Sequence, residues 1–181
     1  KEKDEDLNAS ITASLGFKDF YGGLLKLNHK SKGINFFTNT SYSSSNPITL
    51  SNSENEYFSN GNTTSFLNEQ SEFNNKRSGF LSTIGANFYI LTNTTLTAQI
   101  NYTNLNYNSK SNTQSIFFSA SKIPTTTNNR KYLSGFDDAI FEFEVDLEHN
   151  FKKEGRTLSS YFIYVNDEEN QKFDINNSNI N

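Results

Sequence analysis

Cysteine, methionine and tryptophan are absent from this 181-residue sequence, and only two prolines occur. Without cysteine there are no disulfides, no thiolate metal ligands and no thiol nucleophile, although the compartment stays open. Scarce proline suits long strands, whose ladders need every N–H. The lack of methionine, an initiator included, is what an internal piece of a longer protein would show, and no signal peptide is recognisable. No run of about 18 apolar residues exists, which excludes a transmembrane helix. Helical periodicity with start and stop signals is missing too. Basic residues are dispersed and the net charge is only −4, so nothing points to nucleic acid.

What remains is mostly polar. Hydrophobic residues make up 33% of the chain, and the mean hydropathy is −0.70. Such numbers alone suggest disorder or a prion-like tract. Two features oppose that reading. Aromatics reach 14%, with 17 Phe and 9 Tyr, and the apolar residues are phased.

The phasing is clearest over 138–151. Ala139, Phe141, Phe143, Val145, Leu147 and Phe151 fall on one face of an extended strand. Asp138, Glu142, Glu144, Asp146, Glu148 and Asn150 fall on the other, because side chains alternate with period two. The row Glu142, Glu144, Asp146 and Glu148 cannot point into a dry core. A strand of this length is ample for the roughly 9–11 tilted residues that cross a bilayer in a barrel. Greasy outside and wet inside is the expectation.

Similar alternation marks six further strands. The first runs through Leu7, Ala9, Ile11, Ala13 and Leu15; the second covers about 20–30, with Tyr21, Leu25 and Leu27 on one face. A third places Ile34, Phe36, Thr38, Thr40 and Tyr42 together. The fourth and fifth lie at about 80–90 and 96–102, the sixth is the acidic ribbon, and the seventh carries Leu158, Phe162 and Tyr164. Gly16-Phe17-Lys18-Asp19, Ser31-Lys32-Gly33, Leu91–Thr94 and Lys152–Gly155 read as tight turns. Residues 44–78 and 105–136 read as long polar loops, with local strand around Ile116–Phe118, and 167–181 as the start of another loop.

Short turns at one end and long loops at the other are the asymmetry of a transmembrane barrel. Tyr21, Tyr42, Tyr102 and Tyr164 sit on the apolar face at similar distances from the short turns, as an outer aromatic girdle would. Seven strands cannot seal a bacterial single-chain barrel, which uses even numbers. The expected fold is therefore all-β: an antiparallel up-and-down meander forming part of a large transmembrane β-barrel.

Five stretches carry a resemblance: Leu7–Gly16, Tyr21–Lys30, Gly33–Ser43, Gly85–Ile90 and Thr95–Tyr102. In register and spacing they resemble the barrel of TonB-dependent-receptor-like outer-membrane proteins of Bacteroidota, the outer membrane protein β-barrel family. The resemblance spans about 7–166. It implies that residues 1–6 are the exit from an N-terminal plug and that 7–166 form the first part of a barrel of roughly 22 strands. It further implies a bacterial outer-membrane location and uptake of a bulky nutrient. Its implied partners are membrane lipid, the rest of the barrel and the plug, with TonB contacted only through regions this sequence lacks.

Candidate sites have plainer readings. The acidic row could bind cations or pair with basic plug residues, but a barrel lines its lumen with polar side chains in any case. Paired carboxylates also serve glycoside hydrolysis, yet nothing splits their environments. His29 and His149 lack metal-ligand spacing. No catalytic, cofactor or metal residues are assigned, and no enzyme activity is expected. Phe37, Tyr161, Ile163 and Val165 break the pattern, pointing apolar groups to the polar side. The alternative is a secreted all-β adhesin or carbohydrate-binding surface module, with Tyr57, Phe58 and Phe66 as its aromatics.

Overall fold

A computed structural model describes residues 5–17 and 19–180. The expected linker at 1–6 therefore lies mostly outside the described residues, as do Lys18 of the first tight turn and Asn181. Eight strands are present: β1 (Asp6–Gly16), β2 (Phe20–Ser31), β3 (Ile34–Ser45), β4 (Ile48–Ser59), β5 (Asn62–Leu91), β6 (Thr94–Ser119), β7 (Pro124–Asn150) and β8 (Thr157–Ile180). They form one sheet in the order β1-β2-β3-β5-β6-β7-β8, with β4 also paired to β5. No described residue is helical. The all-β antiparallel meander is what the alternation predicted. The sheet is open, with β1 at one end and β8 at the other.

The count differs from the expected seven, because Asn46 and Pro47 separate β3 from β4. Proline has no N–H for the ladder, and both strands pair with β5. The path across the sheet still counts seven strands, with β4 off it.

The two expected long loops are corrected more heavily. Residues 44–78 are the end of β3, all of β4 and the first half of β5, and 105–136 are the far ends of β6 and β7. The polar tail after Asn166 likewise continues β8 to Ile180. These segments are rich in Thr, Ser and Asn, and their scattered apolar residues keep no sustained alternation, so hydrophobic phasing did not detect them. Thr favours extended backbone by its branched Cβ, and ladder hydrogen bonds do not need an apolar side chain. One turn signal was present. Asn60-Gly61 has φ of 48° and 79° and joins β4 to β5, the left-handed pair that a two-residue hairpin turn requires.

The described residues divide into two compact units. The first contains residues 5–44, Ser78–Asn106 and Asp137–Glu169; the second contains Ser45–Arg77, Tyr107–Phe136 and 170–180. In the first, the register pairs Leu7 with His29, Ala9 with Leu27, Ile11 with Leu25 and Leu15 with Tyr21. It continues with Leu25 opposite Thr40, His29 opposite Phe36 and Gly23 opposite Tyr42. Directly opposed residues share a face, so one side of β1, β2 and β3 collects the apolar set. The opposite side pairs Asn8 with Asn28 and Ser10 with Lys26, then Lys26 with Asn39.

A conventional core is missing. Among the described residues the only buried hydrophobic side chain is Leu67, at 9% exposure. Ile11 and Leu15 remain 82% and 89% exposed. Soluble domains bury such side chains between layers, and here there is one sheet.

Candidate functional site

Within the first unit, the acidic row of β7 meets the polar side of β6. Gln99 donates its Nε2–H to Glu144 at 2.9 Å, and Asn101 donates Nδ2–H to the other oxygen of Glu144 at 2.6 Å. Asn101 also reaches Glu142 at 3.4 Å. From β8, Tyr161 lines the same concavity as Glu144. Thr97, Gln99, Glu144, Asp146 and Tyr161 together line a shallow concavity of about 330 Å³. Glu148, nearer the turn, accepts from Asn150 Nδ2 at 2.9 Å.

The strand register explains this grouping. Thr97, Gln99 and Asn101 alternate with the apolar residues of β6, and β7 lies beside β6. Amide donors on one strand then face carboxylates on the next, and hydrogen bonds to an ionised acceptor are the stronger kind. Each oxygen of the Glu144 carboxylate accepts from one of two amide side chains, Gln99 and Asn101. No cluster of His, Cys, Asp or Glu suited to a metal occurs among the described residues.

Two of the four pattern-breaking residues acquire partners on this polar side. Tyr161 lines the concavity that Glu144 also lines. Phe37 lies opposite Asn28, and its ring fills the space above Gly85. A Cβ at position 85 would come within 2.6 Å of Phe37 Cζ and 2.8 Å of Gln99 Cβ. The phasing singled out Phe37 but not Gly85. A glycine inside a strand often marks close approach by another group, and that was the available signal.

On the apolar face, Tyr21 and Tyr42 stand together with ring centroids 6.1 Å apart, and Tyr102 contacts Phe80 at the same separation. Phe143 meets Phe162 edge-on at 6.5 Å. Tyr164 is exposed, as are the other three tyrosines. The two histidines are not brought into one cluster. His149 Nδ1 lies 2.7 Å from Thr94 Oγ1, and its ring packs edge-on against Phe151 at 4.5 Å. His29 sits between Leu7 and Phe36.

The second unit holds the aromatics considered for sugar binding. Tyr57 and Phe58 are exposed. Phe66 is not free, since Lys122 Nζ lies 5.1 Å from its ring centroid. Glu54, Glu56, Phe66, Asn68, Phe118 and Lys122 surround a concavity of about 490 Å³.

Neither protein-family models nor curated proteins gave a match to this chain.

Proposed function

We propose that the chain is part of the wall of a bacterial outer-membrane β-barrel of the TonB-dependent-receptor-like kind, not an enzyme, and that the complete protein takes up a bulky nutrient. The carrying observation is the single open sheet whose two sides differ in chemistry while neither hides a core. In water, leaving Ile11, Leu15, Leu25 and Phe143 on an uncovered face forfeits the hydrophobic gain that folding needs. Lipid on that face removes the penalty, and water on the other suits the amide and carboxylate network. As the terminal strands in the sheet order, β1 and β8 would need neighbours within the membrane, because an open edge is not tolerated in hydrocarbon.

In this reading Tyr21, Tyr42, Tyr102 and Tyr164 form the outer aromatic girdle, and Glu142, Glu144, Asp146 and Glu148 line the lumen, where a plug would lie. Strands β5 to β8 have 30, 26, 27 and 24 residues, each more than twice the roughly 9–11 that a crossing consumes. Their remainders would stand in water.

Paired arginine substitutions in the full-length protein test the facing and the environment together. Val145→Arg should cost about 2–4 kcal/mol of folding free energy in lipid vesicles if the site lies near mid-membrane. Asp146→Arg, one residue along, should cost much less. Equal tolerance at the two positions would remove the support for a membrane wall.

A further inference from the structure

One concavity of the second unit brings both signs of charge and two aromatic rings together. Glu54, Glu56, Phe66, Asn68, Phe118 and Lys122 line its volume of about 490 Å³, and all six belong to that unit. Small-molecule sites occupy roughly 300–1,000 Å³. The register of β4 with β5 sets Glu54 opposite Asn68 and Glu56 opposite Phe66. Opposed residues share a face, and positions two apart repeat it. Both carboxylates, the amide and the first ring therefore stand on one side of the strand pair. Thr63 Oγ1 donates to Glu56 Oε1 at 2.6 Å, which orients that carboxylate.

Lys122 comes from the turn between β6 and β7. Its N–H donates to the Ser119 carbonyl at 2.9 Å, and the Ile123 N–H donates to Ser119 Oγ at 3.2 Å. Its φ is 60°, in the left-handed region that glycine enters without cost and other residues do not. A non-glycine residue held there points to a use for its side chain. Here that side chain holds its ammonium 5.1 Å from the Phe66 ring centroid.

Ligand classes differ in what they leave unanswered. A neutral sugar would cover three charged groups and pair none of them, which burial penalises. A phosphate would face Glu54 and Glu56, and a plain amine would set a like charge beside Lys122. A zwitterion answers both signs. We propose that this concavity binds a short peptide with free termini, its ammonium at Glu54 and Glu56, its carboxylate on Lys122 and an apolar side chain on Phe66 and Phe118. The termini supply charge-assisted hydrogen bonds and the rings supply apolar contact. Asn68 has both a donor and an acceptor for the peptide group. The inference depends only on this recess and stands apart from the membrane reading.

Isothermal titration calorimetry of the full-length protein in detergent tests it with the dipeptide leucyl-phenylalanine, its N-acetyl form, its C-terminal amide and maltotriose. The free dipeptide should saturate one site. Blocking either end should weaken binding about ten-fold, the worth of one charge-assisted bond. Lys122→Gln should weaken the free dipeptide about ten-fold and leave the amide unchanged, because the amide has no carboxylate to lose. Glu54→Gln combined with Glu56→Gln should likewise weaken the free dipeptide and spare the N-acetyl form. A variant that keeps its insensitive probe is folded, so its lost affinity belongs to the missing charge. The proposal is overturned by no saturable binding, by equal affinity for free and blocked peptides, or by indifference to the substitutions. Equal loss of both probes in a variant, or maltotriose binding as tightly as the dipeptide, would overturn it as well.

Discussion

At the scale of single residues, the polar side of the first unit depends on a few exact fits. Glu144 is held by amide donors from Gln99 and Asn101, which satisfy a carboxylate in mid-strand. Phe37 is accommodated because residue 85 has no side chain. Gly85→Val in the full-length protein should therefore lower stability by about 1–3 kcal/mol, the usual cost of overpacking. Adding Phe37→Ala should recover most of the loss, since Phe37 Cζ is the nearest clashing atom. Urea titrations of the three variants in lipid vesicles measure both. A loss that the second substitution leaves untouched would place the strain in the β5 backbone or at Gln99. The sequence marked Phe37 as anomalous because phasing is a property of one strand. Its partner could not be read, because the pairing of β3 with β5 skips β4 and depends on the whole sheet.

Among the elements, those with an amphipathic face were found and those without one were missed. The turns at Ser31–Ile34 and Leu91–Thr94 lie where Gly and Asn predicted them, and in β1, β2 and β3 the pairing register keeps the alternating apolar residues on one shared side. By contrast, β4 and the far ends of β5, β6, β7 and β8 are mostly polar, with apolar residues such as Leu50, Phe66, Leu67 and Phe173 that keep no sustained alternation, and such composition does not distinguish a strand from a loop. Asn60-Gly61 was the one local signal that these residues turn back into a hairpin. Its geometry yields a prediction. Both residues have positive φ, a region that a β-branched side chain strongly disfavours. Gly61→Val should destabilise the β4–β5 hairpin by roughly 1–2 kcal/mol. Hydrogen exchange should then quicken at 48–59 and 62–74, while the β1–β2 ladder keeps its protection. Uniform loss across both ladders would mean that the turn controls more of the sheet than its own hairpin.

For the molecule as a whole, the decisive property is a large sheet that encloses almost nothing. Ordinary domains offset the entropy of ordering the chain by burying apolar area. With Leu67 as the lone buried hydrophobic among the described residues, this chain lacks that compensation in water. Large hydrophobic side chains such as Ile11, Leu15 and Leu50 are exposed, where soluble monomers rarely expose extended apolar patches, and strand edges at the ends of a sheet invite pairing with other chains. The 181-residue polypeptide alone should therefore not form a well-folded monomer in aqueous buffer, whereas the complete protein should be stable in detergent or lipid. Size-exclusion chromatography and near-ultraviolet circular dichroism of the two preparations make the comparison. Aggregated or non-cooperative material from the short chain, beside a cooperative unfolding transition from the full one, is the expected pair of results. A soluble monomer with sharp aromatic dichroism and cooperative melting would mean that the sheet finds its own cover in water. That outcome would favour a secreted β-module, with exposed Tyr57 and Phe58 as the first residues to test for sugar stacking.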